Sequence, residues 1–270
     1  MFFFEKKNQK TSIRLGSAQW MKFFCFFLFT KRRLLFAVCC LGLLGAGEEK
    51  RSGYEDAGPQ VRAMQDDDLA NPAFLWVQQG AAVWGQGCAG CHGAVEGMRG
   101  VAARYPVVEG GRVLNLEQRV NQCRVERQGV AALAPEGDAM LGVTALVGLQ
   151  SRGMAIAVEV EGAAAAHVAR GEAFFRLRQG QLNLSCAQCH EQLAGQSLAG
   201  ARIPQGHANG YPIYRLEWQG MGSLFRRVRA CLVGVRAVVL AGDVGLLGDL
   251  ELVLAARGAG LKGETPGVRP

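Results

Sequence analysis

Past residue 47 the chain has no excess of either charge. Eight of its 30 Lys and Arg and one of its 23 Asp and Glu lie in residues 1–47, so residues 48–270 carry 22 of each. The formal charge of +7 therefore belongs to the leader, and the electrostatic case for nucleic-acid binding goes with it. An unbroken apolar span is missing too. The apolar run at 23–29 is separated from the one at 34–44 by Lys31, Arg32 and Arg33, so no stretch of about 20 apolar residues exists to cross a bilayer. Cys39 and Cys40 lack the preceding residues of a lipidation box. Methionine offers no distinguished metal ligand: Met64, Met98, Met140, Met154 and Met221 stand in no pattern and read as core filler.

What the leader does have is the three parts of a secretory signal. Lys31-Arg32-Arg33 is the basic region, 34–44 the apolar region, and Gly45, Ala46 and Gly47 precede the charged Glu48-Glu49-Lys50. Removal near residue 47 and export are expected, with no stable membrane insertion of the mature chain. The first twenty residues read as a start-site extension ahead of Met21.

In the remainder one signature occurs twice: Cys88-Ala89-Gly90-Cys91-His92 and Cys186-Ala187-Gln188-Cys189-His190. C-x-x-C-H attaches c-type haem. The two thiols add across the vinyl groups, and the adjacent histidine then lies within reach of the iron as its proximal ligand. A four-cysteine zinc site or a disulfide framework leaves unexplained why a histidine follows the second cysteine both times. Two covalent haems are expected, held by Cys88, Cys91, Cys186 and Cys189 with His92 and His190 on iron. Export agrees, because c-type haem is attached outside the cytoplasm.

The surrounding sequence repeats as well. Residues 73–84 carry apolar side chains at helical spacing, with Gly80 and Trp84 eight and four residues before Cys88. A small residue there permits a close helix crossing and the aromatic covers a haem edge. Residues 163–176 repeat the arrangement with Gly171 and Phe175, but the aromatic stands eleven residues before Cys186, so 178–184 is an insertion. A helix is expected over 114–127, a mixed apolar segment over 137–153 and a C-terminal helix over 249–260. The tail from Glu264, with Pro266, Gly267 and Pro270, is expected on the surface. The haem signatures lie 98 residues apart. The expected fold is mainly α, with two cytochrome c-like domains related by internal duplication, over 48–158 and 159–270.

Two cysteines of the mature region are left over, Cys123 and Cys231. In an oxidising compartment they could form a disulfide; alternatively each supplies the sixth ligand to one iron. His167 and His207 are other candidate ligands, and a lone histidine is more often structural. Spacing alone does not choose.

Around Cys231 the sequence becomes specific. The runs 209–219 (Asn-Gly-Tyr-Pro-Ile-Tyr-Arg-Leu-Glu-Trp-Gln), 226–237 (Arg-Arg-Val-Arg-Ala-Cys-Leu-Val-Gly-Val-Arg-Ala) and 178–190 closely resemble the SoxA family, the A subunit of periplasmic thiosulfate-oxidising cytochromes. The likeness takes in Asn71-Pro72, 150–154 and 266–269, and spans residues 65–270. It implies that Cys123 and Cys231 are the thiolate ligands of the first and second haem. It implies further that Cys231 is the catalytic cysteine, carried as a persulfide, and that Arg227 binds the anionic substrate. The activity implied is oxidative conjugation of thiosulfate to a cysteine of a sulfur-carrier protein, with two electrons passing to cytochrome c. A small monohaem cytochrome completes the enzyme in the periplasm.

The residue types suit that chemistry. Thiosulfate is a dianion, and Arg226, Arg227, Arg229 and Arg236 cluster in sequence around Cys231. Guanidinium groups give charge-assisted hydrogen bonds of fixed geometry to such oxyanions, and positive surroundings favour a reactive thiolate. The alternative functions are a dihaem electron-transfer cytochrome without catalysis, and a scaffold whose first haem is silent. An electron carrier has no need of an oxyanion site. The chain departs from the family beyond Ala237, where 238–242 is apolar, and at Val253, where a tyrosine is common.

Overall fold

Two glycines let two pairs of helices touch backbone to backbone, and the rest of the chain is arranged around those contacts. The computed structural model describes residues 49–238 and 244–270. By compactness the chain divides into Met1–Gly47 and Glu48–Pro270. The first unit, with the expected signal and its cleavage point, lies outside the described residues, as do Glu48 and 239–243.

The described chain is about half helical. It runs through α1 (Pro59–Asp66), α2 (Phe74–Val83), the short α3 (Ala89–His92), a β1–β2 hairpin (Val107–Glu109, Arg112–Leu114), α4 (Leu116–Gln122) and α5 (Asp138–Leu149). Then come α6 (Ala165–Arg176), a β3–β4 hairpin (Ser197–Leu198, Ala201–Arg202), strands β5 (Ile213–Arg215) and β6 (Gly220–Gly222), α7 (Leu224–Gly234), α8 (Val244–Arg257) and β7 (Gly267–Arg269). No described helix is long and apolar enough to cross a membrane.

Helix α2 crosses α5, and α6 crosses α8. A Cβ on Gly80 would lie 2.1 Å from the Gly142 carbonyl oxygen, and one on Gly171 would lie 2.3 Å from that of Asp249. The expected role of these two glycines is therefore realised at both. Val253, the departure from the family's common tyrosine, is buried at the second crossing, 2.7 Å from where a Gly171 Cβ would stand. The second pair is also clamped by charge. His167 Nδ1 lies 2.5 Å from Asp249 Oδ1, and Arg170 Nε donates to Asp249 Oδ2 at 2.7 Å. His167, a candidate ligand in the sequence, is thus a structural partner in the α6–α8 interface.

Helix α4 begins with a capping box, Asn115 and Gln118 each bonding the other's backbone N–H at 2.9 Å. The C-terminal tail corrects the expectation of a surface segment. β7 pairs in parallel with β5, Tyr214 opposite Val268, at the edge of a sheet ordered β6-β5-β7. Val268 is fully buried, its N–H donates to Gln65 Oε1 at 2.8 Å, and Asn71 Nδ2 donates to the Pro266 carbonyl at 3.0 Å. The tail is core because its three residues complete the sheet that leads into α7.

Two acids stand half-buried where α4, α5 and α8 meet. Glu117 and Glu251 line a cavity of about 100 Å³ with Asn115, Thr144, Ser151 and Tyr211. Burial, then the charges of Glu251 and Glu136, pushes Glu117 up to about 8. Burial pushes Glu251 up to about 7, against the Asn115 amide that donates to it at 2.9 Å. Both hold protons in the folded state that the unfolded chain releases near its ordinary carboxyl value of about 4.5.

Two outcomes follow. Gly80→Val or Gly171→Val forces the helices apart and costs about 3 kcal/mol or more in chemical unfolding, whereas exposed Gly234→Ala is near neutral. Because the folded state binds more protons, stability falls as pH rises from about 5 to about 8. Glu251→Gln keeps the Asn115 bond and flattens that decline by at least about 1 kcal/mol, read from unfolding midpoints across pH.

Candidate functional site

Three segments of the described chain adopt wide, π-type helical turns: Trp84–Cys88, Cys123–Arg127 and Gln188–Gln192. Each contains residues singled out by the sequence. Such turns re-aim side chains and recur at functional sites.

The first two turns meet. Gln128, at the end of the Cys123 turn, donates from Nε2 to the Gly87 carbonyl at 3.0 Å. Cys88 is raised by burial, lowered by the nearby Arg124, and raised again by Cys123 and Cys91. Cys123 thus stands beside the first C-x-x-C pair. Trp84 is buried, donates from Nε1 to the Gly93 carbonyl at 3.0 Å, and tilts over the His92 ring at a centroid distance of 5.8 Å. One group therefore contains Cys88, Cys91, His92 and Cys123.

The third turn belongs to a second group. Burial pushes the Cys186 thiol up to about 11, with Cys231 adding to the rise, and burial followed by Cys231 also raises Cys189. Cys231 therefore stands beside the second C-x-x-C pair. His190 is half-buried, and its Nδ1 lies 2.7 Å from the Pro204 carbonyl. Nδ1 is the donor there, so Nε2 carries the free lone pair, the arrangement by which a second-shell carbonyl prepares an imidazole for a metal. Gly206 presses on this ring: a Cβ there would come 3.0–3.2 Å from it, at a φ of +77° that side chains rarely adopt. Glu191, next in sequence, accepts from Arg176 of α6 and Arg257 of α8 at 2.8 and 2.6 Å, locking the turn to both helices.

Helix α7 brings Cys231 to this place. Ser223 caps it, its Oγ accepting from the Arg226 N–H at 3.1 Å while donating to Glu136. Val235 and Ala237 at its far end meet the inserted loop 178–184, where Leu182 N–H donates to the Val235 carbonyl at 3.3 Å. The insertion thus braces the Cys231 helix.

The four-arginine cluster expected around Cys231 is not what forms. Helical rotation places only Arg227, four residues before Cys231, on the cysteine's face. Arg226 stacks over Trp218 at 4.3 Å and donates to the Met221 carbonyl at 3.1 Å. Arg229 is exposed over Phe225, and Arg236 is exposed at the end of the helix. The Arg227 side chain makes no hydrogen bond or ion pair among the described residues, its backbone N–H donating to Ser223 as part of the helix. Its charge reaches His190 and the phenol of Tyr211. Sequence reasoning missed Arg215 and Tyr211. Burial raises the Tyr211 phenol, while Arg227 and Arg215 lower it and Cys231 raises it, so all three converge there. The other candidate ligand, His207, is pushed down to about 4 by burial and then by Arg257, Lys50 and His190. It is neutral, with Nε2 3.2 Å from Gln205 Oε1.

These groups fit haem. Each offers two thiols and an imidazole from one turn and a thiol from elsewhere, against buried apolar side chains. Among the described residues no three His, Cys, Asp or Glu are grouped to hold a metal ion unaided. Cys123 and Cys231 are free thiols in separate groups, which leaves their mutual disulfide without support.

Residues 74–156 match the SoxA/TsdA cytochrome c domain. The chain is similar to the L-cysteine S-thiosulfotransferase subunit SoxA of Rhodovulum sulfidophilum, 37% identical over 232 residues, covering 82% of this chain and 81% of the relative. The same subunit of Paracoccus pantotrophus is 36% identical over 227 residues, covering 81% and 78%. The crystal structure of SoxXA from P. pantotrophus superposes with a TM-score of 0.79 at 36% identity, covering 82% of this chain and 87% of that one.

The cap of α7 is open to test. Ser223→Ala removes an N-cap and strands Glu136, so global stability drops by about 1–2 kcal/mol. Amide exchange should quicken first in the turn leading to Cys231, and an unchanged exchange pattern there would contradict the positioning role of the cap.

Proposed function

The chain belongs to the SoxA family, and from that premise we propose which of its residues perform the family's reaction. It is an L-cysteine S-thiosulfotransferase subunit that conjugates thiosulfate to cysteine, and its cytochrome c domain binds c-type haem covalently. The finer reading is a periplasmic chain of two cytochrome c-like units, 48–158 and 159–270, each holding one haem. The matching glycine crossings, Gly80 on Gly142 and Gly171 on Asp249, support an internal duplication. Cys88, Cys91, His92 and Cys123 would hold the first haem. Cys186, Cys189, His190 and Cys231 would hold the second.

The observation that carries this reading is the convergence of a cysteine, a C-x-x-C-H turn and an arginine whose side chain has no partner among the described residues. Arg227 would bind the thiosulfate oxygens by charge-assisted hydrogen bonds and hold the outer sulfur toward Cys231. Bound haem would supply a one-electron acceptor beside that sulfur. The balance is one carrier-cysteine thiol and one thiosulfate dianion giving one S-thiosulfonate monoanion, one proton and two electrons. Carried as a persulfide, Cys231 would relay the sulfur group. A small SoxX-type cytochrome would complete the enzyme, and a sulfur-carrier protein would present the acceptor cysteine. An electron carrier without catalysis leaves the free Arg227 unexplained.

The test is turnover with thiosulfate and carrier by the haem-loaded complex. Cys231→Ala should lose most of its activity, and Arg227→Gln should raise KM for thiosulfate about tenfold or more. Cys123→Ala should retain thiosulfate affinity while altering the spectrum of one haem only. Full thiosulfate turnover in both Cys231→Ala and Arg227→Gln would refute the assignment.

A further inference from the structure

Arg215 is buried in a way the fold does not explain. It ends β5 with its side chain 14% exposed, and its Nε is buried without a hydrogen-bond partner. Its ion pair is with Glu217 at 3.2 Å, a carboxylate 62% exposed and so weakly held. Burial and then the charge of Arg227 disfavour the cation at this position. Neither Tyr211 nor Glu217, which act the other way, removes that effect. Two guanidinium groups that repel each other, one with a buried unpaired donor and the other with no side-chain partner among the described residues, suit a shared anion.

The site is built rather than accidental. The β5–β6 hairpin runs straight into α7, so Arg215 and Arg227 come from elements joined by one short connection. Trp218 at the hairpin tip holds Arg215 at 5.3 Å on its ring and Arg226 at 4.3 Å. That ring packs so closely on Gly222 that a Cβ there would lie 2.4 Å from it. Arg226 is occupied by the Met221 carbonyl, while the charges of Arg215 and Arg227 both act on Tyr211, as does that of Cys231.

We propose that Arg215 is a second substrate-binding residue, forming with Arg227 a two-guanidinium clamp on the sulfonate oxygens of thiosulfate. This rests on the assignment of Cys231 and Arg227 given above. Two fixed forks match a dianion better than a monoanion, so the clamp selects thiosulfate and holds the S-thiosulfonate product, with its single charge, less tightly. Product release then follows from the loss of one charge.

The experiment uses the haem-loaded complex and compares Arg215→Gln, Arg215→Lys and Arg227→Gln. Thiosulfate binding is read by calorimetry without carrier, KM and kcat by turnover, and haem content and reduction potentials by titration. Arg215→Gln should weaken thiosulfate binding and raise KM about tenfold, with kcat within about threefold and haem content and potentials unchanged. Arg215→Lys, which keeps the charge but loses the fork, should fall between wild type and Gln. Unchanged binding in both Arg215 variants, with weakened binding in Arg227→Gln, overturns the clamp and leaves the parent assignment standing. A shifted haem potential with unchanged thiosulfate affinity also overturns it, by showing that Arg215 pairs with haem carboxylates. Unchanged affinity in Arg227→Gln as well removes the parent assignment.

Discussion

The close approach of helix backbones at Gly80 and Gly171 is the constraint on which the rest depends. Each glycine admits a carbonyl oxygen where any side chain would collide, and each crossing sets the distance between the helices around one C-x-x-C-H turn. Trp84 follows Gly80 by one helical turn and covers His92; Phe175 follows Gly171 by one turn and is fully buried beneath Arg257. The same spacing of a small residue and an aromatic thus builds the wall of both groups. Widening either crossing would displace the turn that carries the thiols.

The second group differs from the first in what has been added. The insertion 178–184 braces the end of α7, and the Glu191 clamp ties the histidine turn to α6 and α8. The β5–β6 hairpin, closed by the C-terminal strand, delivers Arg215 and Trp218. These additions lie around the second group, whereas Cys123 sits in a turn with half-buried Arg124 and exposed Arg127, tied to the first group through Gln128. That asymmetry supports the proposal that Cys231 reacts and Cys123 does not.

Much of this was legible because it is local. The haem signatures, the two small-residue positions and the helices at 73–84 and 163–176 depend on spacing within one turn or a few. The resemblance to the SoxA family added the roles of Cys123, Cys231 and Arg227, which spacing alone left open. The failures share a cause. Arg226, Arg229 and Arg236 are neighbours of Cys231 in sequence, but the helix turns about 100° per residue and sends them elsewhere. Arg215 is sixteen residues from Cys231 in sequence, and the hairpin sets it on the Trp218 ring that also carries Arg226. The tail reads as polar and Pro-Gly-rich, and its burial depends on a strand partner some 54 residues earlier in the chain. The π-type turns carry no sequence signal at all.

The most direct measurement is the intact mass of the protein matured in a haem-attaching periplasm, taken before and after mild reductant. The account predicts the mass of two haems plus one sulfur atom that is lost on reduction and maps to Cys231. A Cys123–Cys231 disulfide in place of the added sulfur would contradict it, since neither cysteine could then serve as a thiolate.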